Sequence, residues 1–465
     1  MKYDLEERPL IEFSGLVTFF IIFFSLAFGV SFLFLPWYVV LVLFTGFAIT
    51  IGIVFNPFIG VLLFLVTTYV HVMAFAPVEL IKSQPAVMAG GIVLLAWLFH
   101  LIIYKDFKLP RSPQFLCVIG LTLMGFFSVI FHLNEYENFF LVFHFIKMLI
   151  LYFLVTNLIK TEKQLYVSLT VILILTFGTA LSGVMQYLQS EATIEVDRVA
   201  GFEGNPNALA INLVFIIPFI VGLIQYFSSL KLKALLLCVF LIVLSGIVFT
   251  FSRAGFLALA VVFPISLWRF SKRRNRIWLI IVFIVFLGLL IPFLPEQYWE
   301  RIQSITDFSD VSIIGRLDSY RIGWQMIKDN PFLGIGPGRW AYKYVAYAAK
   351  LIGITTYNWC PFNVFIETGA ENGLFALGFY VFIIFFSFKE LNKAKIIFEK
   401  KGKLLLSKAS QAFSITLIGF LVNTIFEAGL GLKVFWIIAG LSVVLKEVAL
   451  NLELNTSINT FKTNG

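Results

Sequence analysis

KLKALLLCVFLIVLSGIVFTFSRAGFLALA, Lys231–Ala260, holds in thirty residues the pattern that decides the fold. Two lysines open it, eighteen residues without a charge follow from Ala234 to Phe251, and Arg253 stands alone before the next apolar run. A helix rises about 1.5 Å per residue, so roughly 18–20 apolar residues cross a hydrocarbon core about 30 Å thick. Runs of this kind recur along nearly all of the 465 residues, which are 60% hydrophobic and only 13% charged; mean hydropathy is +0.94. An ordinary soluble domain carries about 25% charged residues. The composition therefore excludes a soluble enzyme and predicts an all-α polytopic membrane protein with about 12–14 transmembrane helices.

Candidate spans begin near residues 13, 37, 58, 87, 115, 139, 165, 208, 234, 256, 277, 362, 409 and 432. The first run, Glu12–Leu35, is too long for the apolar part of a signal peptide and lacks an A-x-A cleavage pattern, so it reads as a retained span. The expected organisation is a bundle of about 11 spans over 1–294, an extracytoplasmic loop with amphipathic helices over 295–361, and about three further spans with a cytoplasmic tail over 362–465.

With the N-terminus in the cytoplasm, Lys105–Arg111, Lys160–Lys163, Lys231–Lys233, Arg269–Arg276 and Lys389–Lys408 all fall on the cytoplasmic side. The positive-inside rule thus accounts for the net charge of +9, and a nucleic-acid partner is not expected. Cys117 and Cys238 lie in apolar runs and Cys360 stands alone at the end of the long loop, so no disulfide framework or cysteine metal site is predicted.

The same topology leaves Arg198, Arg253, Arg301, Arg316, Arg321 and Arg339 outside or at the outer interface, where orientation gives no reason for them. Arginines without a topological role are candidates for holding an anion. For Arg253 two readings stand: a structural partner such as a carboxylate or helix-end carbonyl, or a lipid-linked phosphate, whose oxygens the planar guanidinium fork matches.

Within the long loop, SIIGRLDSYRIGWQMIKDNPFLGIGPGRW reads as one amphipathic helix and a glycine-rich turn. Ile314, Leu317, Ile322, Trp324, Met326 and Ile327 form its apolar side, and Arg316 and Tyr320, four apart, share a face. Asp329 and Asn330 before Pro331 end the helix. The G-x-G-x-G that follows lacks the strand before it and the lysine-bearing helix after it that a phosphate loop needs. Where the chain re-enters the membrane, Glu367 and Glu371 lie one turn apart near the outer mouth, as ion partners for the arginines or as proton acceptors. Gly369 and Gly373 there allow close approach of another backbone.

Four patches, RVAGFEGNPNALA from Arg198, FSRAG around Arg253, GRLDSYRIGWQMIKDNPFLGIGPG from Gly315 and FNVFIETGAENGLFALG from Phe362, resemble the O-antigen ligase and polymerase superfamily. These are bacterial membrane glycosyltransferases that use undecaprenyl-diphosphate-linked saccharides. The resemblance implies a transfer, without metal or cofactor, at the outer face of the cytoplasmic (inner) membrane. Its donor is an undecaprenyl-diphosphate-linked glycan and its acceptor a glycan or lipid. By analogy with polymerases it adds a chain-length regulator protein as a partner.

The family's serine-arginine motif falls on Arg253 and its loop arginine on Arg316, both implied to bind the diphosphate, with Glu367 and Glu371 the carboxylates nearest the chemistry. Arg198, Asn205, Asn207, Arg321, Arg339 and Asn363 are the implied substrate-binding set. Glu203 is a further carboxylate open to the role of base. One position departs: the family pattern before the re-entering helix is His-Asn, and here Phe362 precedes Asn363. The histidines, His71, His100, His132 and His144, are elsewhere. The departure favours polymerisation over ligation to a lipid A core. A lipid-linked oligosaccharide flippase is the rival from another class, but its path would need charges within the spans, where Lys147 and His144 are the main ones.

Overall fold

The structure is a computed structural model. It describes residues 37–69, 85–104, 112–135, 140–190, 198–271, 311–353, 360–427 and 432–463, with isolated positions near 110 and 274–281. The expected spans over 12–35 and from 277, the loop up to residue 310 with Arg301, and His71 lie outside them.

Fourteen α-helices make up the described residues: α1 (Trp37–Phe55), α2 (Pro57–Tyr69), α3 (Pro85–Tyr104), α4 (Pro113–Phe131), α5 (Phe140–Leu158), α6 (Glu162–Ser190), α7 (Pro206–Tyr226), α8 (Leu230–Phe249), α9 (Arg253–Phe270), α10 (Val311–Asp329), α11 (Trp340–Ile352), α12 (Val364–Lys400), α13 (Leu404–Asn423) and α14 (Lys433–Thr463). Eight of them, α4, α6–α9 and α12–α14, are long and apolar enough to cross a membrane. The protein is an all-α polytopic membrane protein.

A helix apolar on every side belongs in the middle of a bundle. In α7 and α14, 83% of the most apolar window is buried, against 33% in α4 and α8, so the first pair forms the core and the second faces lipid. Helix α7 packs against α8, α9 and α13; α14 packs against α5, α12 and α13. Phe126, Phe131, Phe375, Phe382 and Phe385 turn outward, as suits a hydrocarbon surround.

Helix–helix contact in a membrane gains little from hydrophobicity and depends on close packing and shared polar groups. Between α4, α12 and α14 the Gln114 amide donates to Ser387 Oγ and to the Ala439 carbonyl, both at 3.0 Å, and accepts from Ser442 Oγ at 3.0 Å. Beside it Lys446 pairs with Glu390 at 3.2 Å. Gln114, Ser387, Ser442 and Lys446 thereby keep partners where these three helices meet.

The glycine-rich turn after α10 has its reason in α12. At Gly373 that helix is interrupted, with φ 86° and ψ 172°, a region open to glycine alone. The interruption strands carbonyls on one side and an amide on the other, and the turn satisfies them. Ile335 N donates to Ala370 O at 2.8 Å, Gly336 N to Glu371 O at 3.0 Å, and Leu374 N to Pro331 O at 2.8 Å. A Cβ on Gly373 would stand 2.0 Å from the Phe332 carbonyl oxygen. The Asn-Pro-Phe-Leu-Gly-x-Gly stretch is therefore a clasp on a broken span, in agreement with its lacking the setting of a phosphate loop.

Helix α10 divides its apolar residues. Ile322, Met326 and Ile327 are buried in a small core with Ile335, Trp340 and Tyr344, whereas Ile314, Leu317 and Trp324 are exposed. The single apolar side expected from sequence is thus two, one docked on α12 and one free. A second loop helix, α11, follows the glycine-rich turn, within the 295–361 stretch for which amphipathic helices are expected.

Candidate functional site

Three helices beside the arginines singled out from sequence begin with a capping side chain. Asn205 accepts from Asn207 N and Ala208 N at the start of α7, Ser252 from Gly255 N at the start of α9, and Asn363 from Phe365 N and Ile366 N at the start of α12. Proline at the first position of α7 suits a residue whose missing N–H would have had no helical partner. Side-chain caps fix where these helices start, and helix starts favour negative charge.

The start of α9 places Arg253 at its first residue, after a turn in which Phe251 takes a φ of 48°. Arg316 and Tyr320, one turn apart on α10, approach it from the loop. Together with Ala254, Leu257 and Phe426 they line a cavity of about 210 Å³. Two of the six arginines expected on the outer side thus share one hollow, with apolar side chains on its walls. Tyr320 donates its hydroxyl hydrogen to the Ile425 carbonyl, at the end of α13. Burial pushes its pKa up, against the pull of the Arg316 charge.

Arg198 stands one step behind. Its Nε donates to the Thr250 carbonyl at 3.0 Å and its Nη2 to Asn207 Oδ1 at 2.6 Å. The Asn207 amide in turn donates to Glu427 Oε2 at 3.1 Å. Glu427, next to the cavity-lining Phe426, is half-buried. Burial raises its pKa from the ordinary 4.5 to about 7; the charges of Arg316 and Arg198 and the Asn207 hydrogen bond hold it down, and Glu367 pushes it up. Cys360 is raised too, by burial and by the charges of Glu427 and Glu367.

The remaining sequence-predicted residues fall into other roles. Asn205 and Asn363 are caps, as above. Glu371 is buried, and its two carboxylate oxygens accept from Gly338 N at 2.8 Å and Trp340 N at 3.1 Å, tying the glycine-rich turn and the start of α11 to α12. Arg339, also buried, donates to the Ile335 carbonyl at 2.8 Å within that turn. Arg321 is exposed and lies 3.8 Å from Asp318. Glu203 pairs with Lys433, which also donates to the Thr68 carbonyl at 2.9 Å and sits over the Tyr69 ring. Among the described residues no three His, Cys, Asp or Glu side chains gather as a metal site would require.

Glu427 escaped the sequence reading. Its only signal was a carboxylate in FEAGLG, a short link between two apolar runs.

Residues 236–381 match the family model described as O-antigen ligase. The match supports placing the chain in the O-antigen ligase and polymerase superfamily, as an O-antigen ligase/polymerase-type membrane glycosyltransferase. It runs from α8 into α12 and takes in both cavity arginines, but not Arg198 or Glu427. No curated protein matches the chain.

Proposed function

We propose that the chain polymerises a surface glycan at the outer face of the bacterial cytoplasmic membrane, passing an undecaprenyl-diphosphate-linked oligosaccharide to a second lipid-linked chain. One observation carries the reading: Arg253 of α9 and Arg316 of α10 line the same cavity. Paired guanidinium groups can grip a diphosphate through several charge-assisted hydrogen bonds. At about 210 Å³ the hollow is smaller than the roughly 300–1,000 Å³ of most small-molecule sites, which suits a diphosphate whose lipid and glycan lie outside it. The apolar side chains of Leu257, Leu317 and Phe426 beside the arginines suit a polyprenyl tail.

As the glycosidic bond to the diphosphate breaks, negative charge grows on the leaving oxygen. Two cations lining the cavity stabilise that charge, with no metal ion needed for it. Polymerisation is preferred to ligation because Phe362 stands where the ligase-type pattern has histidine. The basic loops support both termini in the cytoplasm and the cavity outside.

Arg253→Ala and Arg316→Ala each lower transfer by about 10²- to 10³-fold, the usual loss for one preorganised donor, and the lysine variants lie between. The chain-length distribution of the surface glycan in cells reports it. Normal-length polymer with both alanine variants would end this reading.

A further inference from the structure

Transfer at this cavity needs a group to take the acceptor's proton, and Phe362 cannot supply one. The three carboxylates expected from sequence can be weighed by what already holds them. Glu203 is committed to a buried ion pair with Lys433. Both oxygens of Glu371 are taken by backbone amides of the turn. Glu367 lies on the first turn of α12 and acts on Glu427 as a like charge, so ionisation of one opposes ionisation of the other.

Glu427 is set apart from Glu203 and Glu371 by its place. It follows Phe426, a wall of the cavity, and feels the charge of Arg316, which lines that cavity. One of its oxygens, Oε2, accepts from Asn207, itself held by Arg198. The carboxylate is thus oriented from behind by a guanidinium–amide relay and flanked by the arginine read as the diphosphate clamp.

We infer that Glu427 is the general base of the transfer, standing in for the absent histidine; this rests on the polymerase reading of the cavity. The acceptor hydroxyl gives its proton to a Glu427 oxygen as its own oxygen bonds to the anomeric carbon. The bond from that carbon to the diphosphate oxygen breaks, and the electron pair leaves with the lipid diphosphate, held by Arg253 and Arg316. The carboxyl then passes its proton to the departed diphosphate or to water. A base works best with a pKa near the operating pH, and burial together with Glu367, set against Arg316, Arg198 and Asn207, places Glu427 at about 7.

The test uses the full chain in proteoliposomes, with lipid-linked oligosaccharide extracted from the producing cells for turnover and undecaprenyl diphosphate alone for binding. The expected result for Glu427→Gln is a loss of transfer of about 10²-fold or more, with undecaprenyl diphosphate binding within about threefold of wild type. The rise of wild-type turnover through about pH 7 disappears in it. Glu427→Asp keeps measurable turnover and keeps a pH limb. Turnover by Glu427→Gln above a tenth of wild type, or an unchanged limb, overturns the inference while leaving the arginine clamp standing. Loss of binding together with transfer overturns it too, since Glu427 would then act by positioning Arg316. Should wild type and Arg253→Ala bind undecaprenyl diphosphate equally poorly, the polymerase reading itself fails and the base falls with it.

Discussion

The guanidinium carbon of Arg316 lies 5.4 Å from the centre of the Phe362 ring, and Phe362 holds a φ of 51°. A bulky residue in the left-handed region costs about 1–3 kcal/mol and persists only where its surroundings impose it. Here Tyr320 reaches toward its carbonyl and Asn363, next in sequence, caps α12. The ring at the position of the missing histidine therefore seats a cavity arginine. A cation over an aromatic face is worth about 0.5–2 kcal/mol. Phe362→Leu is expected to slow glycan transfer by about 2- to 30-fold, whereas Phe362→Tyr keeps most of the rate. Equal rates for Leu and Phe in the proteoliposome assay would show that the ring does not set Arg316.

Glu371 gives a second expectation. Its carboxylate satisfies two amides of a buried turn, and leaving a buried donor unpaired costs about 1–3 kcal/mol. Glu371→Ala should lower the unfolding temperature in detergent markedly, and Glu371→Gln less, since a carboxamide oxygen still accepts. If both variants unfold like wild type and only turnover suffers, Glu371 is a chemical group and not a fastener.

The Lys433–Glu203 pair is buried, with side chains 9% and 7% exposed. Removing one partner of such a pair costs about 3–5 kcal/mol because the other charge is left unmatched, while replacing both is often nearly neutral. Lys433→Met should destabilise strongly, and Lys433→Met with Glu203→Gln should regain most of that loss. A double variant no more stable than the single would show that the pair is not coupled in this way.

The shift of Glu427 also has a sign for stability. Its folded pKa lies above the ordinary 4.5, at about 7, so between those values the native state holds a proton that the unfolded chain releases. Stability from this group is complete below about pH 4.5 and is lost as pH rises through about 7. Glu427→Gln, which cannot ionise, should match wild type near pH 4 and exceed it above pH 7 in thermal unfolding. A constant difference across that range would contradict the shift.

How much of this was legible depended on sequence distance. The spans were visible because each is a local run, and the pairing of Arg316 with Tyr320 because four residues make one turn. The fracture of α12 was not, since nothing around Gly373 shows that its carbonyls will be met by a turn some forty residues earlier. Glu371 and Arg339 looked like charges at a membrane mouth; their backbone partners are a product of tertiary folding. Glu427 was hidden for the same reason, because its pKa is set by residues from α7, α10, α12 and the strand of chain before α7. A single carboxylate in a short link carries no pattern of its own.

The hydrogen bond from Asn207 to Glu427 joins residues 220 positions apart, and the stretch that matches the family model, 236–381, contains neither. A chimera made by transplanting that block between relatives would import both cavity arginines and leave the carboxylate and its amide to the host. On the proposed roles, such hybrids would inherit the diphosphate clamp without its proton acceptor unless the recipient happened to match. Exchanging that contiguous block would then part the two arginines from the carboxylate at 427 and from the Arg198 and Asn207 side chains that hold it.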